Sequence, residues 1–335
     1  MMQEHFKKIF LTGDSFQDIL GQEHVKHELK SALLVGRHVL IIGPPGIGKT
    51  TIAKNVSKLL PSIDLNDCAY HCDPNEPMCP ECKMGKSKKK VVSGKERFVR
   101  IQGSPDLTAE DLIGDIDPAK AIQYGPLSIQ AFTPGKIFKA NHGVLFFDEL
   151  NRCPEKLQNA LLQALQEGYV TIGSYDVDLK TNFIFIGTMN PEDSNTEKIS
   201  DVLLDRFDVV YMAYPETLKI EEQIVKKAGT NLVEFPEKLL TLGVLFVRLL
   251  RENKDVEKAP GVRASIGLYE RAQSNAFLAG RNKVTAIDLQ GAIISVVAHR
   301  IKLKPSVSYL KSELDFVKEQ MERFLQDQEK RGDYT

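Results

Sequence analysis

Five short apolar runs recur through the first two-thirds of the chain, each closed by polar or turn residues: Val39 to Ile42, Phe98 to Ile101, Val144 to Phe147, Phe183 to Ile186 and Val209 to Met212. Continuous apolar runs of this length suit strands covered on both faces, and the helical patterns between them predict a parallel α/β sheet. In one such pattern, Lys156 to Glu167, Leu157, Ala160, Leu161, Ala164 and Leu165 fall on one stripe, as a helix packed on the sheet requires. Beyond Pro215 only helical periodicity remains, near Leu218 to Ala228, Pro236 to Arg251, Ile266 to Ala279 and Ala286 to Ile301, which predicts a second, all-helical domain. Pro305 sets off a last segment in which Leu310, Leu314, Val317, Met321 and Phe324 form the narrow apolar seam of an amphipathic helix. That seam docks either on the helical domain or on a partner. The expected division is an α/β domain over 1–215 with an insert at 61–97, a small helical lid domain over 216–304, and a C-terminal amphipathic helix over 305–335.

Composition adds little to this picture. At 42% hydrophobic and 27% charged it is that of an ordinary soluble protein, and no apolar run approaches the roughly 20 residues of a membrane span. Met1 to Phe10 mixes Glu4, His5, Lys7 and Lys8 with isolated apolar residues, unlike a secretory signal, so the cytoplasm is the expected location. A net charge of −1 gives no global reason to expect nucleic acid as the main partner, although a local basic patch stays open.

The chemistry begins where the first apolar run ends. Gly43-Pro44-Pro45-Gly46-Ile47-Gly48-Lys49-Thr50 fits G-x-x-x-x-G-K-[ST] between a strand and a helix, the context in which backbone N–H groups cradle phosphates. Lys49 is expected to hold the β and γ phosphates of ATP, Thr50 to bind Mg²⁺, and Thr51 to complete the cradle. Val144 to Phe147 leads straight into Asp148 and Glu149, delivering two carboxylates to a strand end, where ligands of open α/β sheets bind. Asp148 suits the hold on Mg²⁺ and Glu149 the activation of the attacking water. Asn190 ends another strand and can donate a hydrogen bond toward the water or γ-phosphate. Arg206, before the last strand, and Arg263, opening a helix of the second domain, each suit either a structural salt bridge or the extra positive charge that phosphoryl transfer needs.

Gly-Pro-Pro-Gly-x-Gly-Lys-Thr, Phe-Phe-Asp148-Glu149-Leu-Asn-Arg152, Gly-Thr-Met-Asn190-Pro191, Leu-Leu-Asp-Arg206-Phe-Asp and Val-Arg263-Ala-Ser, in this order, resemble AAA+ ATPases of the MoxR type, with the magnesium-chelatase motor subunits as close relatives. The resemblance covers roughly residues 15 to 300. It implies a P-loop AAA+ parallel sheet sandwiched by helices and followed by a helical lid. It further implies a hexameric ring with ATP between subunits, Arg206 as the finger given to the neighbour's site, Arg263 as the lid arginine that senses nucleotide, Asn190 as the polar sensor, and Gln22 in the adenine-side segment. Ala109 to Lys139 reads as long and irregular, and Tyr169 to Leu179 as a hairpin with Gly173-Ser174 near its tip. These are similar to the two insertions of the helix-2-insert branch, which face the pore or the client; the alternative is ordinary surface loops. Relatives of this type act with a separate protein bearing a metal-binding von Willebrand factor A domain, and no such domain lies in this sequence.

Four of the five cysteines, Cys68, Cys72, Cys79 and Cys82, lie in two close pairs between the P-loop helix and the second strand. In a reducing compartment such pairs suit tetrahedral Zn²⁺, with His71 able to replace one ligand; an iron–sulfur cluster, a redox switch and unliganded thiols are the alternatives. Cys153 reads as a packed thiol. Lys83, Lys86, Lys88, Lys89, Lys90, Lys95 and Arg97 make the insert basic, either as a solvated loop or as a contact for nucleic acid or an acidic partner. The expected function is an ATP-hydrolysing ring that remodels a protein client or drives insertion of a metal cofactor. A DNA-processing motor resembling the minichromosome-maintenance helicases is the alternative. A nucleotide-gated binding module that turns over little has no need of Glu149.

Overall fold

The computed structural model describes residues 2–13, 15–172, 177–191 and 199–330. The chain folds into two compact units, one made of 1–19, 23–43 and 48–212, the other of 20–22, 44–47 and 213–335.

In the first unit the five apolar runs become strands β1 (His38–Ile42), β2 (Phe98–Gln102), β3 (Val144–Asp148), β4 (Ile184–Met189) and β5 (Phe207–Tyr211). They pair in parallel in the order β5-β1-β4-β3-β2. Val39, Leu40, Ile41, Val144 to Phe147, Phe185 and Ile186 are buried, as strands covered on both faces must be. Helices α1 (Met2–Thr12), α2 (Glu23–Leu34), α3 (Lys49–Leu59) and α4 (Glu155–Glu167) belong to this unit. Of these, α2 packs on β1 and β5, and α3 on β3.

The stretch 109–139 is ordered rather than irregular. Helix Ala109–Leu112 starts at a capping box made by Thr108 and Asp111, helix Pro118–Tyr124 starts at an Asp117 cap with proline in its first turn, and Gly114–Ile116 pairs antiparallel with Phe132–Pro134. Tyr169–Ile172 and Val177–Lys180 pair as the expected hairpin, whose Gly173-Ser174 tip lies outside the described residues. In the cysteine insert Ile63–Asn66 pairs with Lys89–Val92.

The second unit holds helices α5 (Leu218–Ala228), α6 (Glu237–Glu252), α7 (Val262–Leu278), α8 (Ala286–Val297) and α9 (Glu313–Lys330). The seam of α9 is partly buried here: Phe316, Val317 and Phe324 share a core with Phe246, Leu250, Leu268 and Val297, while Leu310 and Leu314 stay exposed. The fully buried Glu221 carboxylate is paired by Arg248 and Arg251 at 3.3 and 3.0 Å and receives the Ser265 hydroxyl at 2.7 Å, so its desolvation is offset by four hydrogen bonds from three side chains. Among the described residues no helix is long and apolar enough to cross a membrane.

Candidate nucleotide and metal sites

The parallel register brings the chemical residues of the first unit to one edge. Ile42 pairs with Met189, Gly187 with Phe147 and Gln102 with Asp148, so the carboxyl ends of β1, β4, β3 and β2 lie side by side. From β1 the chain turns through Gly46 and Gly48, at φ 78° and 102°, values that glycine adopts without strain. Lys49 and Thr50 then open α3, with Thr51 on the same turn, and the Lys49 ammonium donates to the Gly43 carbonyl at 2.5 Å. The loop tip, Pro44 to Ile47, groups with the second unit. There a methyl on Gly46 would stand 3.1 Å from Arg263 Cγ, so the Arg263 side chain lies against the tip. In the same unit Gln22 sits at φ 61° and donates to the Ala213 carbonyl at 2.7 Å.

At the end of β3 both carboxylates are engaged. Asp148 accepts the Thr188 hydroxyl at 2.7 Å on Oδ1 and Arg100 at 2.6 Å on Oδ2. Glu149 accepts Gln102 Nε2 at 2.8 Å and faces Arg152 at 3.3 Å. Its backbone sits at φ 57°, a left-handed conformation that costs about 1 kcal/mol for a residue with a Cβ. That turn is fixed from two sides: Glu149 N–H donates to Thr188 Oγ1 at 3.0 Å, and Gly103 N–H donates to the Asp148 carbonyl at 2.7 Å. Asn190 follows β4, and its carbonyl accepts the Asn151 amide at 3.3 Å. Thr50 and Asp148 are the groups that would hold Mg²⁺; the Asp148 carboxylate, 15% exposed and oriented by the Thr188 hydroxyl, has the oxygen chemistry that a hard cation takes.

Gly103 is a tight fit at this edge, because a Cβ there would fall 2.0 Å from the Glu149 carbonyl oxygen and 3.0 Å from that of Asp148, both backbone atoms. Gly103→Ala should therefore destabilise the first unit by roughly 1–3 kcal/mol or shift the Asp148–Glu149 turn. Melting temperature and ATP hydrolysis should fall together, and a variant that keeps both would show that the turn yields freely.

Arg206 sits elsewhere. It immediately precedes β5, whose Phe207 pairs with His38 at the amino end of β1, and its guanidinium bonds Gln166 at 3.0 Å and Asp205 at 2.9 Å.

The four cysteines form a second site. Their Sγ atoms all lie within 4.8 Å of one another, none is in a disulfide, and Cys72, Cys79 and Cys82 are buried. Zn–S bonds of about 2.3 Å place tetrahedral sulfurs about 3.8 Å apart, so the cluster fits a metal after a small contraction. Backbone N–H groups of Cys72, Cys79 and Cys82 point at the sulfurs of Cys68, Cys72 and Cys79 at 3.4, 3.5 and 3.4 Å, contacts that favour thiolates. Hydrogen bonds from Cys68 and Cys79 hold the Cys72 thiol down to about 4, and the same crowding, with Cys68 foremost, pushes Cys79 up. His71 is outside the ligand group; its Nδ1 is buried without a hydrogen-bond partner, and burial lowers its pKa. Cys153 is buried in the main core, apart from the cluster.

Sequence reasoning passed over Arg100, Gln102 and Gly103. The available signal was their position at the end of the second apolar run, which a parallel sheet brings level with Asp148.

A P-loop opening a helix, two carboxylates closing the next strand but one of the same parallel sheet, and a separate helical unit are the parts of an AAA+ ATPase. The model of the ATPase family associated with various cellular activities (AAA) matches residues 81–209, that of magnesium chelatase subunit ChlI residues 15–73, and that of the AAA lid domain residues 258–319. The chain is an ATP-hydrolysing enzyme of this class, and within it is related to subunit I of magnesium chelatase. The magnesium-chelatase subunit ChlI homolog of Methanocaldococcus jannaschii is 29% identical, over 87% of this chain and 86% of its own length. Magnesium-chelatase subunit ChlI of Synechocystis is 26% identical over 87% and 88%. Among solved structures, a mutant of Thermotoga maritima RuvB shares the fold, with a TM-score of 0.50, 18% identity, and 85% and 72% of the two chains covered.

Proposed function

We propose that the chain works as a ring of identical subunits, a hexamer of the MoxR type, in which Arg206 completes the ATP site of the neighbouring copy and hydrolysis drives remodelling of a protein client or insertion of a metal cofactor. The position of Arg206 carries the reading. The five residues of β5 span about 16 Å, and Arg206 lies beyond their amino end, whereas Lys49, Asp148 and Glu149 sit at the carboxyl edge of the same sheet. An arginine side chain cannot cover that span, so any phosphate it reaches belongs to another molecule. Val202, four residues before Arg206 and 58% exposed, supplies apolar surface suited to such a boundary. In this reading Lys49, Thr50 and Asp148 hold ATP and Mg²⁺, Glu149 activates water, Asn190 positions it, and Arg263 reports on the loop tip. Gln22 borders the adenine, and Cys68, Cys72, Cys79 and Cys82 hold structural Zn²⁺. A von Willebrand A-domain protein is the proposed partner, by resemblance to MoxR-type relatives, and no observation favours a DNA-processing motor.

Arg206→Ala and Lys49→Ala should each lose about 10³-fold or more in hydrolysis when assayed alone. Mixed in equal amounts they should regain a measurable fraction, because some boundaries pair an intact P-loop with an intact arginine. No recovery at any ratio, or full activity of the wild type as a dilute monomer, would refute catalysis across the boundary.

A further inference from the structure

Arg100 is not part of the five motifs that identify the nucleotide site, yet it occupies one of that site's carboxylates. We infer that Arg100 is a positioning residue that competes with Mg²⁺ for Asp148, so that loading of the metal–nucleotide complex requires the guanidinium to move off the carboxylate; this rests on the assignment of Asp148 as the Mg²⁺ holder.

Three observations carry it. Arg100 lies two residues before Gln102 on β2, on the same face, and Gln102 is the register partner of Asp148 on β3. Its side chain therefore has to run along the strand toward the carboxyl edge to place Nη2 2.6 Å from Asp148 Oδ2. Packing on the neighbouring Phe146, its own register partner, does not require that reach. Asp148 Oδ1 is held by Thr188, so Arg100 takes the remaining oxygen, the one left for a hard cation or its water. Asp148 is 15% exposed and Arg100 50% exposed, which makes the guanidinium the mobile partner and the carboxylate the fixed one.

The contact also extends to the second carboxylate. Arg100 Nη2 donates to Gln102 Oε1 at 3.1 Å, and Gln102 Nε2 donates to Glu149 Oε2 at 2.8 Å. Displacing Arg100 from Asp148 removes a donor that orients the Gln102 amide, and thereby loosens the hold on Glu149. A monovalent cation at Asp148 lowers its attraction for a divalent one by direct charge competition, whereas a purely structural arginine leaves metal affinity untouched.

The test is the metal requirement, read apart from turnover. Binding of fluorescent ATPγS is titrated with Mg²⁺, and Mn²⁺ binding is followed by electron paramagnetic resonance, in the wild type and in Arg100→Gln and Arg100→Lys. The expected result is a half-saturating Mg²⁺ or Mn²⁺ concentration about three- to tenfold lower for Arg100→Gln, the effect of removing a half-exposed ion pair, with Arg100→Lys within about twofold of the wild type. A half-saturating concentration that is unchanged or higher in Arg100→Gln overturns the inference, as does Arg100→Lys behaving like Arg100→Gln. Should the Gln variant fail to fold, Arg100→Met, which keeps the stem, is read by the same criteria. If Asp148→Asn left Mg²⁺ and Mn²⁺ binding at wild-type strength, the metal assignment itself would fall, an outcome distinct from an Arg100 that merely has no effect.

Discussion

Glu149→Gln should bind ATP as tightly as the wild type, within about threefold, while its hydrolysis falls by roughly 10²–10⁴, the range for losing a general base. The substitution removes a charge and keeps a shape. Gln102 Nε2 still finds an oxygen acceptor where it now meets Glu149 Oε2 at 2.8 Å, and the Glu149 N–H bond to Thr188 and the Gly103 bond to Asp148 involve only backbone on that side. What is lost is the ability to accept a proton from water, and with it part of the pairing to Arg152, a half-exposed contact worth little to stability. Equilibrium nucleotide binding, phosphate release and melting temperature, measured on one preparation, separate these effects. A variant that hydrolyses near the wild-type rate would move the water-activating role away from Glu149, and one that lost nucleotide binding as well would show that the charge serves the ground state.

The sheet was legible because its strands are buried on both faces, so that Val144 to Phe147 and Val39 to Ile42 had to be uninterrupted apolar runs. The P-loop and the Asp148–Glu149 pair were legible because their chemistry depends on neighbours in the chain. What escaped was set by contacts across it. Helices of four and seven residues at Ala109–Leu112 and Pro118–Tyr124 are too short to show a period, and their existence rests on caps and on the pairing of Gly114–Ile116 with Phe132–Pro134. Ile63–Asn66 meets Lys89–Val92 across the whole cysteine segment, with Val91 left 66% exposed, so no alternation advertised the pair. Arg100 reads in sequence as a polar interruption of an edge strand, and only the register with β3 gives it a carboxylate. For Arg206 the chain order named the residue, and the direction of β5 supplied the distance.

Replacing Cys79 and Cys82 by serine should abolish bound metal and lower the melting temperature by about 10 °C, as expected when several kcal/mol of a clasped core are lost from a chain of this size. The effect should not stay within the insert. Cys72, Cys79 and Cys82 belong to the same core as Phe138, Leu145 and Phe147, Tyr70 packs on Phe138 with ring centroids 5.6 Å apart, and the Tyr70 carbonyl accepts the buried Asn141 amide at 3.1 Å. Leu145 and Phe147 lie on β3, the strand that ends in Asp148, so loosening the cluster should reduce hydrolysis as well as stability. Lys49→Ala, by contrast, should lose hydrolysis and keep its metal, which separates a structural clasp from a nucleotide-linked one. Metal content by mass spectrometry should be about one zinc per chain in the wild type and near zero in the double variant. Iron in its place would assign the site to a cluster; a metal-free wild type whose four thiols react as fast as free cysteine would leave the sulfurs packed only against one another, and the insert would need another source of rigidity.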